Sequence, residues 1–122
     1  MDLTLCLLDI DDFTIYNLKL GFEIGNALLN EILELIHKIP NQCGFRRVDS
    51  DEFLFCCFGT FNENKQNLVR LMQAVETNLK VTVSIGATEI NGDIELDEIL
   101  LNILKRYVLI VKNNGKNKIY IS

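Results

Sequence analysis

The chain predicts an α+β domain with a central, mainly antiparallel sheet flanked by helices. Three observations carry that prediction. Residues 3–10 are mostly apolar over one strand length, as expected of a strand buried on both faces. Residues 44–48 and 52–58 form two strand-like runs separated by Asp49-Ser50-Asp51, which reads as a hairpin turn. Three stretches with apolar residues at helical spacing alternate with these strands.

Taken in order, residues 12–19 after the first strand are ambiguous and read at most as a short helical turn. From Phe22 to Lys38, Ile24, Leu28, Leu29, Ile32, Leu33, Leu35 and Ile36 recur with the helical period, and Pro40, the only proline, stops the helix. After the hairpin, Asn62 or Asn64 is placed to cap a helix whose stripe is Leu68, Leu71, Met72, Val75 and Leu79. Val81 to Ile85 reads as a strand, and Asn91-Gly92-Asp93 as a turn. A long helix follows from about Leu96 to Asn113, with Gly115 just past its end, and Ile119 to Ile121 closes the chain as a short strand. The order is strand, helix, hairpin, helix, strand, helix, strand. With no linker or repeat, it predicts a single domain over 1–122, close to a ferredoxin-like palm.

Composition narrows the function. No apolar run approaches the roughly eighteen residues of a membrane span. Asp2 stands where a signal peptide carries positive charge, so a cytoplasmic protein is expected. Cys6, Cys43, Cys56 and Cys57 show no metal-binding spacing and read as small buried hydrophobes. His37 is the only histidine, which disfavours histidine metal sites and Ser-His-Asp triads. Acidic residues outnumber basic ones by 17 to 12, for a net charge of -5, against direct nucleic-acid binding. That balance is compatible with a nucleotide enzyme, because a bound cation reverses the local field.

The chemistry concentrates in carboxylates at strand ends. Asp9-Ile10-Asp11 closes the first apolar strand, and Asp51-Glu52 sits at the hairpin tip. If the fold sets those strands side by side, the carboxylates can share one divalent cation and hold it against nucleotide phosphates.

Around them stand Asp9-Ile10-Asp11-Asp12-Phe13, Asn17, Gly21, Gly25-Asn26, Arg47-Val48-Asp49-Ser50-Asp51-Glu52-Phe53, Ser84-Ile85-Gly86 and Lys112-Asn113-Asn114-Gly115-Lys116-Asn117. In that order and spacing the set resembles the GGDEF domains, the diguanylate cyclases, over nearly the whole chain. The family's N-terminal helix and D-x-L-T-x-L-x-N-R-R segment have no counterpart here. In size the chain is similar to the minimal CRISPR polymerases, palms associated with antiphage signalling by cyclic nucleotides.

The resemblance implies Asp9, Asp51 and the Ile10 carbonyl as ligands of Mg2+, with Mn2+ able to substitute. It implies Asp9, Asp51, Glu52 and Lys112 as catalytic residues. For the nucleotide it implies Ile10, Asp11, Asp12, Phe13, Asn17, Asn26, Arg47, Lys112 and Lys116. Lys116 replaces an arginine, keeping the charge but losing the bidentate fork. Asn26 replaces the aspartate that reads guanine. A carboxylate accepts both guanine donors, whereas an amide offers one acceptor and one donor, which suits adenine. An unpaired guanine donor costs about 1–3 kcal/mol, so ATP is expected to serve at least as well as GTP. Asp49-Ser50 replaces Gly-Gly and brings a negative charge beside the phosphates. The family's product-inhibition motif R-x-x-D falls on Pro40 to Cys43 and is missing.

Plainer readings stand beside these. Asp11 and Asp12 suit helix caps, Asp49 to Glu52 an ordinary turn, and Lys112 and Lys116 a helix C-terminus. Gly21 and Gly25 suit close packing, and Phe13 the core. Together the residues predict a pyrophosphate-releasing cyclic nucleotide synthase that works as a homodimer, each subunit holding one nucleoside triphosphate. Two alternatives stay open: a diguanylate cyclase making cyclic di-GMP from GTP, and a silent nucleotide-binding palm.

Overall fold

The computed structural model describes residues 2–91 and 98–121. Its elements are β1 (Asp2–Ile10), α1 (Phe13–Leu20), α2 (Phe22–His37), β2 (Gln42–Asp49), β3 (Glu52–Phe58), α3 (Phe61–Ala74), β4 (Val83–Asn91), α4 (Glu98–Asn113) and β5 (Ile119–Ile121). A π-helical turn, Val75–Leu79, extends α3. The sheet order is β2-β3-β1-β4-β5, antiparallel except for the β4–β5 pair. This is the expected α+β arrangement, with β1 at the centre.

The apolar run of β1 follows from that position. Cys6, Leu8 and Ile10 point to one face, where they meet Leu28, Leu29, Ile32 and Ile36 of α2 and Leu68, Leu71 and Met72 of α3. Leu5 and Leu7 point to the other face, against Leu104 and Val108 of α4. Each such side chain, once enclosed, contributes about 1.5–3 kcal/mol. Alternation with period two thus serves two cores. Cys6 and Cys57 are buried, whereas Cys43 and Cys56 are half-buried; all four are free thiols.

Several elements differ from the sequence reading. Residues 13–20 form a full two-turn helix, α1. The cap of α3 is Thr60, whose hydroxyl accepts from the Glu63 amide, and not Asn62 or Asn64. Asn64 is buried inside the fold and donates to Thr4 Oγ1 at 3.0 Å and to the Cys57 carbonyl at 3.2 Å. β4 begins at Val83 and runs to Asn91, six residues beyond Ile85, because it pairs with β1 over that strand's whole length, Asp2 to Ile10. Gly92 and Asp93 of the expected turn, and the Leu96 start of the last helix, lie outside the described residues.

Gly86 shows how closely α4 packs on β4. A Cβ there would lie 2.7 Å from Tyr107 Cβ and 2.8 Å from the Leu104 carbonyl. Only glycine lets the helix backbone come that near. The contact brings the C-terminal end of α4, with Lys112, over the end of β1.

Candidate functional site

Antiparallel pairing of β1 and β3 sets Asp9 opposite Glu52, and the Ile10 amide donates to the Asp51 carbonyl at 3.1 Å. The acidic end of β1 and the acidic hairpin tip therefore meet at one end of the sheet. Lys112 Nζ, from the last turn of α4, lies 2.5 Å from Asp9 Oδ1 and 3.4 Å from Asp11 Oδ1. Lys116 Nζ lies 2.6 Å from Asp12 Oδ1. Asp9, Asp11, Asp12, Asp51, Glu52, Lys112 and Lys116 are thus brought together from three chain segments.

The charges are mutually tuned. Burial pushes the Asp9 carboxyl up to about 6; Lys112 opposes the shift, and Asp51 and Glu52 add to it. Burial also raises Glu52, with Asp51 and Asp49 adding to it and Lys105 and Lys112 opposing. Burial alone would lower Lys112, but its contacts with Asp9 and Asp11 outweigh that and hold it above its ordinary value. Crowded carboxylates of this kind favour a further cation.

The donor set suits a hard cation in part. Asp9, Asp51 and the Ile10 carbonyl are all oxygen donors, the type that Mg2+ takes. Among the described residues, no three Asp, Glu, His or Cys side chains close around a metal by themselves. Mg2+ is commonly bound through one or two carboxylates together with phosphate oxygens and water, so a set of this size is adequate. The Lys112 ammonium is a further neighbour of Asp9 in this set.

The remaining predicted residues are placed differently. Asp11 is not a cap and is closed to ligands, because its carboxylate is buried and bonded to Thr82, Ser84 and the Asn117 amide. Asp12 stands at the N-cap of α1 with a left-handed φ of 57°, but its side chain caps nothing and turns to Lys116. Phe13 is a core residue, 5% exposed and stacked on Tyr16, so its ring does not front the site. Arg47 is engaged by the hairpin instead, donating to the Asp49 and Ser50 carbonyls at 3.2 and 2.6 Å.

Within that turn the Asp49 carboxylate accepts from the Ser50 amide at 2.7 Å, and none of Asp49, Ser50 or Asp51 has a positive φ. The turn therefore needs no left-handed residue, and Asp-Ser in place of Gly-Gly strains nothing.

Asn17 of α1 packs on Gly25 of α2. A Cβ on Gly25 would fall 1.7 Å from Asn17 Oδ1, an oxygen that is buried without a hydrogen-bond partner. Gly25 thus serves close packing, and it places the exposed Asn26 beside the α1–α2 seam. Sequence reasoning assigned no role to Thr82, Ser84 or Asn117, which hold Asp11. Ser84 and Asn117 were visible within matched motifs, whereas Thr82 carried no signal.

The family profile described as "Diguanylate cyclase, GGDEF domain" matches residues 1–118. No curated protein sequence matches the chain. The GGDEF domain of DgcB from Caulobacter crescentus, solved in complex with c-di-GMP, superposes with a TM-score of 0.83 at 19% identity, covering 98% of this chain and 77% of that one. Diguanylate cyclase SiaD from Pseudomonas aeruginosa, solved with its activator SiaC, gives 0.86 at 25% identity, covering 99% of this chain and 50% of that one. This chain spans half of SiaD's length. The active GGEEF domain of a diguanylate cyclase from Vibrio cholerae gives 0.82 at 18% identity, covering 99% and 83%. A family profile spanning residues 1–118 and a shared fold agree: the chain belongs to the GGDEF domain family, a family of nucleotide cyclases.

Proposed function

We propose that this protein is a cyclic nucleotide synthase that joins nucleoside triphosphates with loss of pyrophosphate. The observation that carries the reading is the juxtaposition of Asp9 with the Asp51-Glu52 tip, capped by the Lys112 ammonium at 2.5 Å. A Mg2+ ion, when bound, supplies charge neutralisation for the phosphates and lowers the pKa of the attacking hydroxyl.

The chain's own residues do the rest. Asp9, Asp51 and the Ile10 carbonyl offer the oxygens that hold the cation, as Mn2+ would also find them. Lys112 and Lys116 leave Asp9 and Asp12 to neutralise the departing pyrophosphate. The amides at the start of α1, which the Asp12 side chain does not cap, face the phosphates. Asn17 and Asn26 flank the seam where a base would sit. The ribose 3′- or 2′-hydroxyl of one nucleotide forms a bond to the α-phosphorus of another as the bond to pyrophosphate breaks, and the hydroxyl proton passes to solvent.

Each chain presents one such half-site, so a cyclic dinucleotide needs two copies face to face, a homodimer formed with substrate. Asn26 supports use of ATP at least as readily as GTP.

Mass analysis of products from ATP, GTP and their mixture with Mg2+ tests the reading, with a cyclic product containing adenine expected. Strong selectivity for GTP would overturn the ATP assignment. Asp49-Ser50, which adds a negative charge beside the tip where phosphates would sit, favours a second reading as a silent nucleotide-binding palm. Calorimetric binding of nucleotide with no pyrophosphate release would establish that reading instead.

A further inference from the structure

Asp11 is a carboxylate enclosed by the fold, its side chain only 1% exposed. Its oxygens are fully used by protein donors. Oδ2 accepts from Thr82 Oγ1 at 2.6 Å and from the Asn117 amide at 3.1 Å. Oδ1 accepts from Ser84 Oγ at 2.6 Å and faces Lys112 Nζ at 3.4 Å. The Asp11 amide donates in turn to the Thr82 carbonyl at 3.0 Å.

Two of these four partners belong to one segment, residues 112–117, which also carries Lys116. That segment turns sharply after α4. Gly115, Lys116 and Asn117 all have positive φ, at 105°, 62° and 52°. Consecutive left-handed residues bearing side chains are uncommon and need outside support. The Asn117 amide on Asp11 and the Lys116 ammonium on Asp12 supply it.

We propose that Asp11 is a positioning residue, a buried anchor that holds the 112–117 arm so that Lys112 faces Asp9, Lys116 faces Asp12, and both face bound phosphates. Its effect on nucleotide binding rests on the cyclase reading; its anchoring of the arm does not. A carboxylate is required for a simple reason. Hydroxyls of Thr82 and Ser84 can rotate to accept from an amide, but the Asn117 N–H and the Lys112 ammonium can only donate. In an Asp11→Asn variant either orientation of the amide sets its NH2 group against one of those two donors.

The experiment is a cycle of variants. Asp11→Asn is compared with the wild type, and the same substitution is made in a Lys112→Ala/Lys116→Ala background. Amide exchange over 112–118 is followed by mass spectrometry, and binding of a non-hydrolysable ATP analogue with Mg2+ by calorimetry. Asp11→Asn is expected to speed exchange in that segment about tenfold, with α2 and α3 unchanged, and to weaken the analogue about tenfold. In the lysine-free background the weakening is expected to vanish, because an anchor acts only through what it positions. Thr82→Val and Ser84→Ala serve if Asp11→Asn unfolds, each giving a smaller version of the same local effect.

Unchanged exchange over 112–118, or an undiminished loss of binding without the lysines, overturns the proposal. If the wild type binds no nucleotide, the cyclase reading falls, and the exchange result alone decides the anchor.

Discussion

Asp9 holds its proton to about pH 6 in the folded chain, against an ordinary value of 3.8. Between those values the folded state binds more protons than the unfolded one, so stability falls as pH rises through the window. The contribution is complete below about pH 4 and gone above about pH 6. A shift of that size is worth at most about 3 kcal/mol, and partial solvent access reduces it to about 1–2 kcal/mol. Asp9→Asn should therefore flatten the pH dependence of melting between pH 4.5 and 7, by roughly 3–8 °C relative to the wild type. A wild-type slope in that variant would show that Asp9 is not the group being stressed. Asp9, Asp51, Glu52, Lys112 and Lys116 were legible because their order along the chain is itself a pattern. The burial of Asp11 and Phe13 was not, because an acid or aromatic beside a strand end gives no sign of which way it turns. For Asp11 that direction is set by Thr82, Ser84 and Asn117, all more than seventy residues away.

Among the elements, helix and strand identities followed from periodicity except at α1, which periodicity left ambiguous, and boundaries depended on partners. α3 begins at a Thr60-x-x-Glu63 signal that was readable, since a threonine three residues before a glutamate marks a helix start. Thr60→Ala should cost about 1 kcal/mol in chemical denaturation; no change would show that the hydroxyl bond at 3.3 Å adds nothing. β4 runs beyond the Val81 to Ile85 that the sequence suggests, because β1 fixes the length of its neighbour. The Gly86→Ala substitution drives a methyl into Tyr107 and the Leu104 carbonyl. It should cost about 1–3 kcal/mol and push α4 away from the sheet. Because α4 carries Lys112, exchange at the arm should rise together with the loss of stability. A stable variant with an unmoved α4 would contradict the close-packing account.

Across the whole molecule, one topological fact governs the chemistry: β1 is central, with β3 and β4 on either side. Residues near position 9, near 51, near 83 and near 112 can meet only in that order. The sequence motifs imply the meeting, whereas apolar patterning alone leaves the order of strands open. Asp51→Asn should abolish product while leaving the melting temperature within a few degrees of wild type, because Asp51 is half-buried at a turn and anchors no core. Loss of folding in that variant would make the tip structural.

The most direct test is paramagnetic. Mn2+ added with a non-hydrolysable ATP analogue should broaden the backbone signals of Asp9, Ile10, Asp51 and Glu52 first, and Asp51→Asn should abolish that broadening. Broadening centred elsewhere, with those four signals left sharp, would contradict a cation and nucleotide held between the ends of β1 and β3.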